Sequence, residues 1–169
     1  MNDRPRRPRK LERGDDVTSF NSGAAELDTW LHRYAWENLR ANNAITYVTT
    51  VDKRVVGYYA IASGSVALTS VPPTLRKGSR PDPMPVIVLA RLAVDHEARG
   101  SGIGAGLLRD ALERVAVLSE SLGAAALLVH ARDSAAREFY RHNGDFLPSP
   151  IDELQLLAPM KALRAEFLP

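Results

Sequence analysis

The sequence predicts a mixed α/β fold, a mostly antiparallel central sheet flanked by helices. Three observations predict it. The run Val86-Ile87-Val88-Leu89-Ala90-Arg91-Leu92-Ala93-Val94 is almost continuously apolar, as a central strand covered on both faces would be. A glycine-rich turn follows, and then Leu107, Leu108, Ala111, Leu112, Val115, Ala116 and Leu118 recur at the spacing of an amphipathic helix. Another buried strand, Ala125 to His130, comes next. A strand–helix–strand unit of this kind pairs in parallel through a right-handed crossover.

The remaining elements read off in order. Residues 1 to about 15 are rich in Arg and Pro and poor in apolar residues, so a disordered basic tail is expected there. Residues 16–169 are expected to form a single domain, the default at this length. Leu27, Trp30, Leu31, Tyr34 and Leu39 give one apolar helical face over about Ala24 to Ala41. Ala44 to Val51 is β-rich, and Lys53-Arg54 turns it into a strand from Val55 to Ile61 that continues irregularly toward Leu68. Residues 71–85 carry Pro72, Pro73, Gly78, Pro81, Pro83 and Pro85 and read as a loop. Asp133 can N-cap a helix running to about His142. Two short strands, near Asp145–Leu147 and Glu153–Leu157, are expected to close the domain.

Composition removes several kinds of chemistry. Without cysteine there is no disulfide, no thiolate nucleophile and no Cys-based zinc site, and no metal is expected. No apolar run suits a signal peptide or a membrane span, so a cytoplasmic location is the default expectation. The net charge is only +2, but it is unevenly spread. Between Lys53 and Pro81 stand Lys53, Arg54, Arg76, Lys77 and Arg80 and no acid. Such a stretch suits either phosphates or a solvated surface.

The segment that carries chemistry is Arg99-Gly100-Ser101-Gly102-Ile103-Gly104-Ala105-Gly106, between a buried strand and a helix. Glycines let the backbone approach a ligand, and successive N–H groups at a helix start attract an anion. A diphosphate is the natural guest. A Walker loop lacks its Lys and Thr or Ser here. A dinucleotide fingerprint can be drawn through Gly100, Gly102 and Ala105, but 85 residues precede the strand and the next strand ends in Val129-His130 without an acid. The coenzyme A loop of GNAT acetyltransferases, Q/R-x-x-G-x-G/A, is matched fully by Arg99 to Gly104.

Beyond that loop, the chain resembles the acetyltransferase toxins of bacterial toxin–antitoxin pairs, from about Val17 to the C-terminus. Four stretches carry the resemblance: Phe20-Asn21-Ser22-Gly23 with Leu27-Asp28-Thr29-Trp30-Leu31; Val55-Val56-Gly57-Tyr58-Tyr59-Ala60; Pro85 through Asp95; and Ala126 through Ala131, leading into Ala136, Phe139-Tyr140 and Pro148-Ser149-Pro150. The resemblance implies a GNAT fold and acetyl-CoA as co-substrate. It implies that Leu92 and Val94 lend backbone groups to the pantetheine arm, that Arg99, Gly100, Gly102 and Gly104 cradle the diphosphate, and that Tyr140 protonates the departing thiolate. It further implies an aminoacyl-tRNA substrate, acetylated on its free α-amine so that translation is blocked, and an antitoxin with a ribbon-helix-helix DNA-binding domain; the alternative is a GNAT acetyltransferase acting on a protein amine or a small-molecule amine. Arg76, Lys77, Arg80 and Arg91 are the residues expected to meet the tRNA, and a homodimer is a further expectation. Asn143-Gly144-Asp145-Phe146 departs from the family's Phe-Gly-Phe, and Pro159 should stop the last strand's ladder.

Read without the resemblance, the same residues have plainer roles. A tyrosine beside Phe139 on a helix is ordinarily core. His130, ending a buried strand, reads as a hydrogen-bonded structural histidine. Arg91 interrupts an apolar strand and must face a cleft, a carboxylate or a phosphate. No glutamate base stands between Pro85 and Val94. An amine whose pKa is lowered by its ester neighbour needs only water as base.

Overall fold

The computed structural model describes residues 4–169. Its strands are β1 (Arg9–Lys10), β2 (Ile45–Val51), β3 (Arg54–Val66), β4 (Met84–Val94), β5 (Ala126–His130), β6 (Leu147–Pro148) and β7 (Gln155–Pro159). They form a seven-stranded sheet in the order β1-β2-β3-β4-β5-β7-β6. β4 and β5 pair in parallel, Val86–Leu89 against Ala126–Val129, as the strand–helix–strand pattern predicts. The pairs β1–β2, β2–β3, β5–β7 and β6–β7 are antiparallel. The helices are α1 (Ala25–Thr29), α2 (Ala35–Arg40), α3 (Ile103–Leu118), α4 (Ser134–Asn143) and α5 (Met160–Phe167). Contacts sort the chain into two compact units, Met1–Ala62 with Ala90–Asp110, and Ser63–Leu89 with Ala111–Pro169.

The first unit corrects the expected tail. Residues 1–3 lie outside the described residues, but the chain is built into the structure well before residue 15. Arg9 and Lys10 pair with Val48 and Tyr47. Leu11 is buried in a cluster with Phe20, Leu31, Val48, Val55 and Tyr58. The Arg9 guanidinium grips both oxygens of Asp15, at 2.9 and 2.7 Å. A composition poor in apolar residues hid a segment ordered by an open sheet edge, one leucine and one Arg–carboxylate fork. The turn after β2 also shifts by one residue. Asp52 (φ 50°) and Lys53 (φ 69°) both take the left-handed conformation, as a two-residue hairpin turn of the right twist requires.

The expected first helix is interrupted by a π-helical turn at Trp30–Tyr34 between α1 and α2. Leu27, Leu31, Ala35 and Leu39 are spaced by four throughout, which drifts off one face of a 3.6-residue helix. A wider turn absorbs the drift, so Leu31 and Ala35 are buried while Tyr34 is exposed, against expectation. At Gly57 in β3 a Cβ would lie 2.9 Å from a methyl of Leu107 and 3.1 Å from side chains of Ile103 and Thr49. That glycine lets the first turns of α3 seat directly on the β2–β3 hairpin.

In the second unit Val66, Val71, Leu75, Met84, Val86, Ala126, Leu128 and Leu157 form the core. Asp133 caps α4, accepting from the Ala136 N–H at 2.8 Å. The closing strands fall about two residues later than expected. Asp152 ties the turn before β7 by accepting from the Leu154 N–H at 3.0 Å. Pro159 is the last rung, opposite Ala126, and α5 begins at the next residue. The domain therefore ends on a helix rather than on the expected strands. The signal for α5 is Met160, Leu163 and Phe167 at helical spacing, with Met160 and Leu163 buried.

Candidate active site

β4 sets the first part of the site. Its ladder with β5 runs from Val86 to Leu89, yet the strand continues to Val94. The expectation of cover on both faces fails there: Ala90 is exposed and Arg91, Leu92 and Val94 are half-buried. Asp95 ends the strand. Asp95 is 1% exposed, and its carboxylate accepts from the Asn21 and Glu97 N–H groups, each at 3.0 Å. It caps the short 3-10 turn His96–Ala98 and fixes it to the segment before α1. Sequence reasoning gave Asp95 no role of its own. The available signal was an Asp directly after a strand and before a turn.

The loop follows. Arg99 donates from its guanidinium to the Ser22 carbonyl. Of the cradle residues expected from sequence, it is the one whose side chain the structure engages elsewhere. Gly100 (φ 82°) and Gly102 (φ 81°) adopt the left-handed conformation, and a Cβ on either would meet open space. The Gly106 N–H closes on the Gly102 carbonyl at 3.0 Å and starts the helix. Gly104 lies in the first turn of α3. Two left-handed glycines, open space above them and a helix start make a cradle of backbone donors that fits a diphosphate.

Arg91 solves its burial problem with an aromatic face. Its guanidinium carbon lies 3.8 Å from the Trp30 ring centroid. The Trp30 ring is a partner that the strand pattern alone did not name.

The second unit holds Tyr140 in α4. Its ring is buried, edge-on to Phe139 at 5.3 Å and to Phe146 at 6.0 Å. Burial pushes the phenol's pKa up to about 12. It therefore keeps its proton at neutral pH and is a donor. Arg76, Lys77 and Arg80 sit in the loop between β3 and β4. Arg76 Nε donates to the Val71 carbonyl at 2.6 Å and Arg80 Nε to the Leu75 carbonyl at 3.1 Å. His130, exposed at the end of β5, lies 3.2 Å from the Asp152 carboxylate. Among the described residues there is no group of His, Asp and Glu that could hold a metal ion.

A strand that outruns its partner and feeds a glycine cradle at a helix start suits a ligand that bears a diphosphate. The model of the acetyltransferase (GNAT) domain matches residues 42–144. The chain is similar to the tRNA-acetylating toxin of Mycobacterium tuberculosis (strain ATCC 25618 / H37Rv), with 48% identity over 158 residues and 94% of each chain covered. Among solved structures it is similar to AtaT complexed with acetyl-methionyl-tRNAfMet, at TM-score 0.86 and 25% identity over 95% of this chain and 98% of that one. It is also similar to a mutant AtaT toxin bound to the C-terminus of the antitoxin AtaR, at TM-score 0.78 and 25% identity over 95% of both chains. The chain belongs to the GNAT acetyltransferase family, in its toxin branch. It is an acetyl-CoA-dependent N-acetyltransferase.

Proposed function

We propose that this enzyme transfers acetyl from acetyl-CoA to the α-amino group of aminoacyl-tRNA and so blocks translation. The observation that carries the reading is the 48% identity, over nearly the whole of both chains, with a tRNA-acetylating toxin. The co-substrate supplies an activated acetyl thioester. Gly100, Gly102 and Gly104 hold its diphosphate through backbone N–H groups, with Arg99 fixing the loop from Ser22. The backbone of Leu92 and Val94, beyond the last β4–β5 rung, aligns the pantetheine arm. Tyr140 donates its hydrogen bond to the sulfur as negative charge builds there. At about 12 its pKa stands well above the ~8.5 of a free thiol. Tyr140 thus stays protonated and serves as the acid that donates to the leaving thiolate.

The RNA is held by Arg76, Lys77 and Arg80, none of which has an acidic partner among the described residues, with Arg91 on its Trp30 platform as a further contact. Phosphate contacts release counterions. A variant with all three loop cations changed to Ala should bind charged tRNA more weakly, and its salt slope should be shallower by roughly two. Equal slopes would return this loop to a solvated surface. Such an activity needs restraint, and the partner we propose is an antitoxin carrying a ribbon-helix-helix domain whose C-terminal segment covers these cations. Homodimerisation, and the cytoplasm as the compartment where charged tRNA is met, belong to the same proposal.

The deciding experiment incubates the enzyme with labelled acetyl-CoA, total charged tRNA and bulk protein. Label should follow RNA and be removed by deacylating it, and adding the antitoxin should suppress it. Label on protein or on small amines would overturn the tRNA reading.

A further inference from the structure

The N-terminal arm brings two arginines to the glycine cradle that neither the loop pattern nor the comparisons assign. The arm is fixed along β2. The Arg6 N–H donates to the Thr50 carbonyl at 3.0 Å, and the Thr49 hydroxyl donates to the Arg6 carbonyl at 2.5 Å. Further along the arm, Arg9 and Lys10 pair with Val48 and Tyr47. This leaves Arg6 and Arg7 walling an open pocket of about 320 Å³ whose other side is Ser101, Gly102, Ile103 and Gly106. The loop that receives a diphosphate and the arm that carries two cations therefore share one cavity.

Among the described residues, the charges that line that cavity are unbalanced. Arg9 is neutralised by Asp15, whereas among the described residues neither Arg6 nor Arg7 has an acidic partner. Both stand beside a helix start, which itself carries partial positive charge. Two arginines gathered there repel each other and the helix end unless an anion lies between them. Coenzyme A bears more phosphate than the cradle's backbone donors account for. Beyond the diphosphate it carries a ribose 3′-phosphate, a further dianion. A pocket of this volume, opening from the loop onto β2, has room for that nucleotide end.

We propose that Arg6 and Arg7 hold the ribose 3′-phosphate of coenzyme A, making the N-terminal arm the outer wall of the cofactor site. The proposal rests on the acetyl-CoA reading above and extends it to a specificity: the enzyme discriminates coenzyme A from its 3′-dephospho form. Exposed cation–phosphate contacts are individually weak, so the preference is about tenfold rather than a thousandfold.

Titration calorimetry with coenzyme A and with dephospho-coenzyme A tests it. The wild type should bind coenzyme A about tenfold tighter. Arg6→Ala/Arg7→Ala should bind both ligands equally, with its affinity for the dephospho form unchanged. Arg6→Gln/Arg7→Gln, which keeps the aliphatic stems, should do the same, so loss of the arm's packing is not the cause. Retention of the preference in both double variants overturns the proposal. So does an equal weakening of both ligands, which would make the arm a wall for the diphosphate or for the pocket's shape. A wild type that binds neither ligand would overturn the acetyl-CoA reading itself, a failure distinct from loss of the preference.

Discussion

Tyr140→Phe should lower kcat by roughly 10²–10⁴-fold while leaving acetyl-CoA affinity unchanged. The substitution removes one oxygen and keeps the ring, so the edge contacts to Phe139 and Phe146 survive and the fold should melt at the same temperature. What is lost is the donor at the departing sulfur. The effect should fall on kcat rather than KM, because the hydrogen bond strengthens only as the thiolate forms. The pH dependence gives a second readout. With its pKa raised to about 12 by burial, the phenol stays protonated through the range where an ordinary tyrosine ionises. The kcat profile of the wild type should therefore show no alkaline fall centred on pH ~10. A loss smaller than about threefold would make Tyr140 a core residue and leave the donor unassigned.

Gly102→Glu should abolish measurable acetyl-CoA binding, a loss of at least about a hundredfold. At φ 81° any side chain is strained, but a Cβ there meets no atom within 4 Å, so the fold has room for it. The carboxylate would settle onto the backbone donors at the start of α3 and satisfy them from within the chain. The anion site would then be filled by the protein's own charge and closed to a diphosphate. Gly102→Ala separates the two causes, since it carries the backbone strain without the charge and should lose far less affinity. Unchanged affinity of the Glu variant by titration calorimetry would remove the diphosphate from this loop.

Much of this was legible in the chain because it rests on local patterns. The nearly continuous apolar run of β4, the glycines after it and the amphipathic α3 each follow from short-range chemistry, and together they place the cradle. Asp133 was legible as a cap for the same reason. What escaped depends on partners distant in sequence. Arg9 and Lys10 become a strand only because Val48 and Tyr47 present an open edge some forty residues away. Arg91 declares its need for a partner from within β4, but a partner in the π turn at Trp30 could not be read from β4 alone. The burial of Asp95 depends on Asn21, again far off in the chain. The helix α5 escaped for a different reason. Pro159 stops a strand's ladder, and a proline is also at home where a helix opens, a second meaning that the strand pattern conceals.

Both margins of the sheet have one feature in common. At one end lies β1, two residues long, preceded by Pro5 and Pro8 and carrying the charges of Arg9 and Lys10. At the other lies β6, also two residues long, of which one is Pro148, with Pro150 shortly after. Proline has no N–H to donate, and a two-residue strand offers a visiting strand almost no ladder to extend. Growth of the sheet by annexing a strand from another molecule is therefore blocked at each margin, which protects a chain rich in apolar β-segments from polymerising. The same blockage constrains how any partner is recognised. A second copy, or an inhibitory peptide, that docks at either margin would have to read side chains on the faces and loops there, where a single charge reversal can unmake the complex, rather than extend the ladder through main-chain hydrogen bonds.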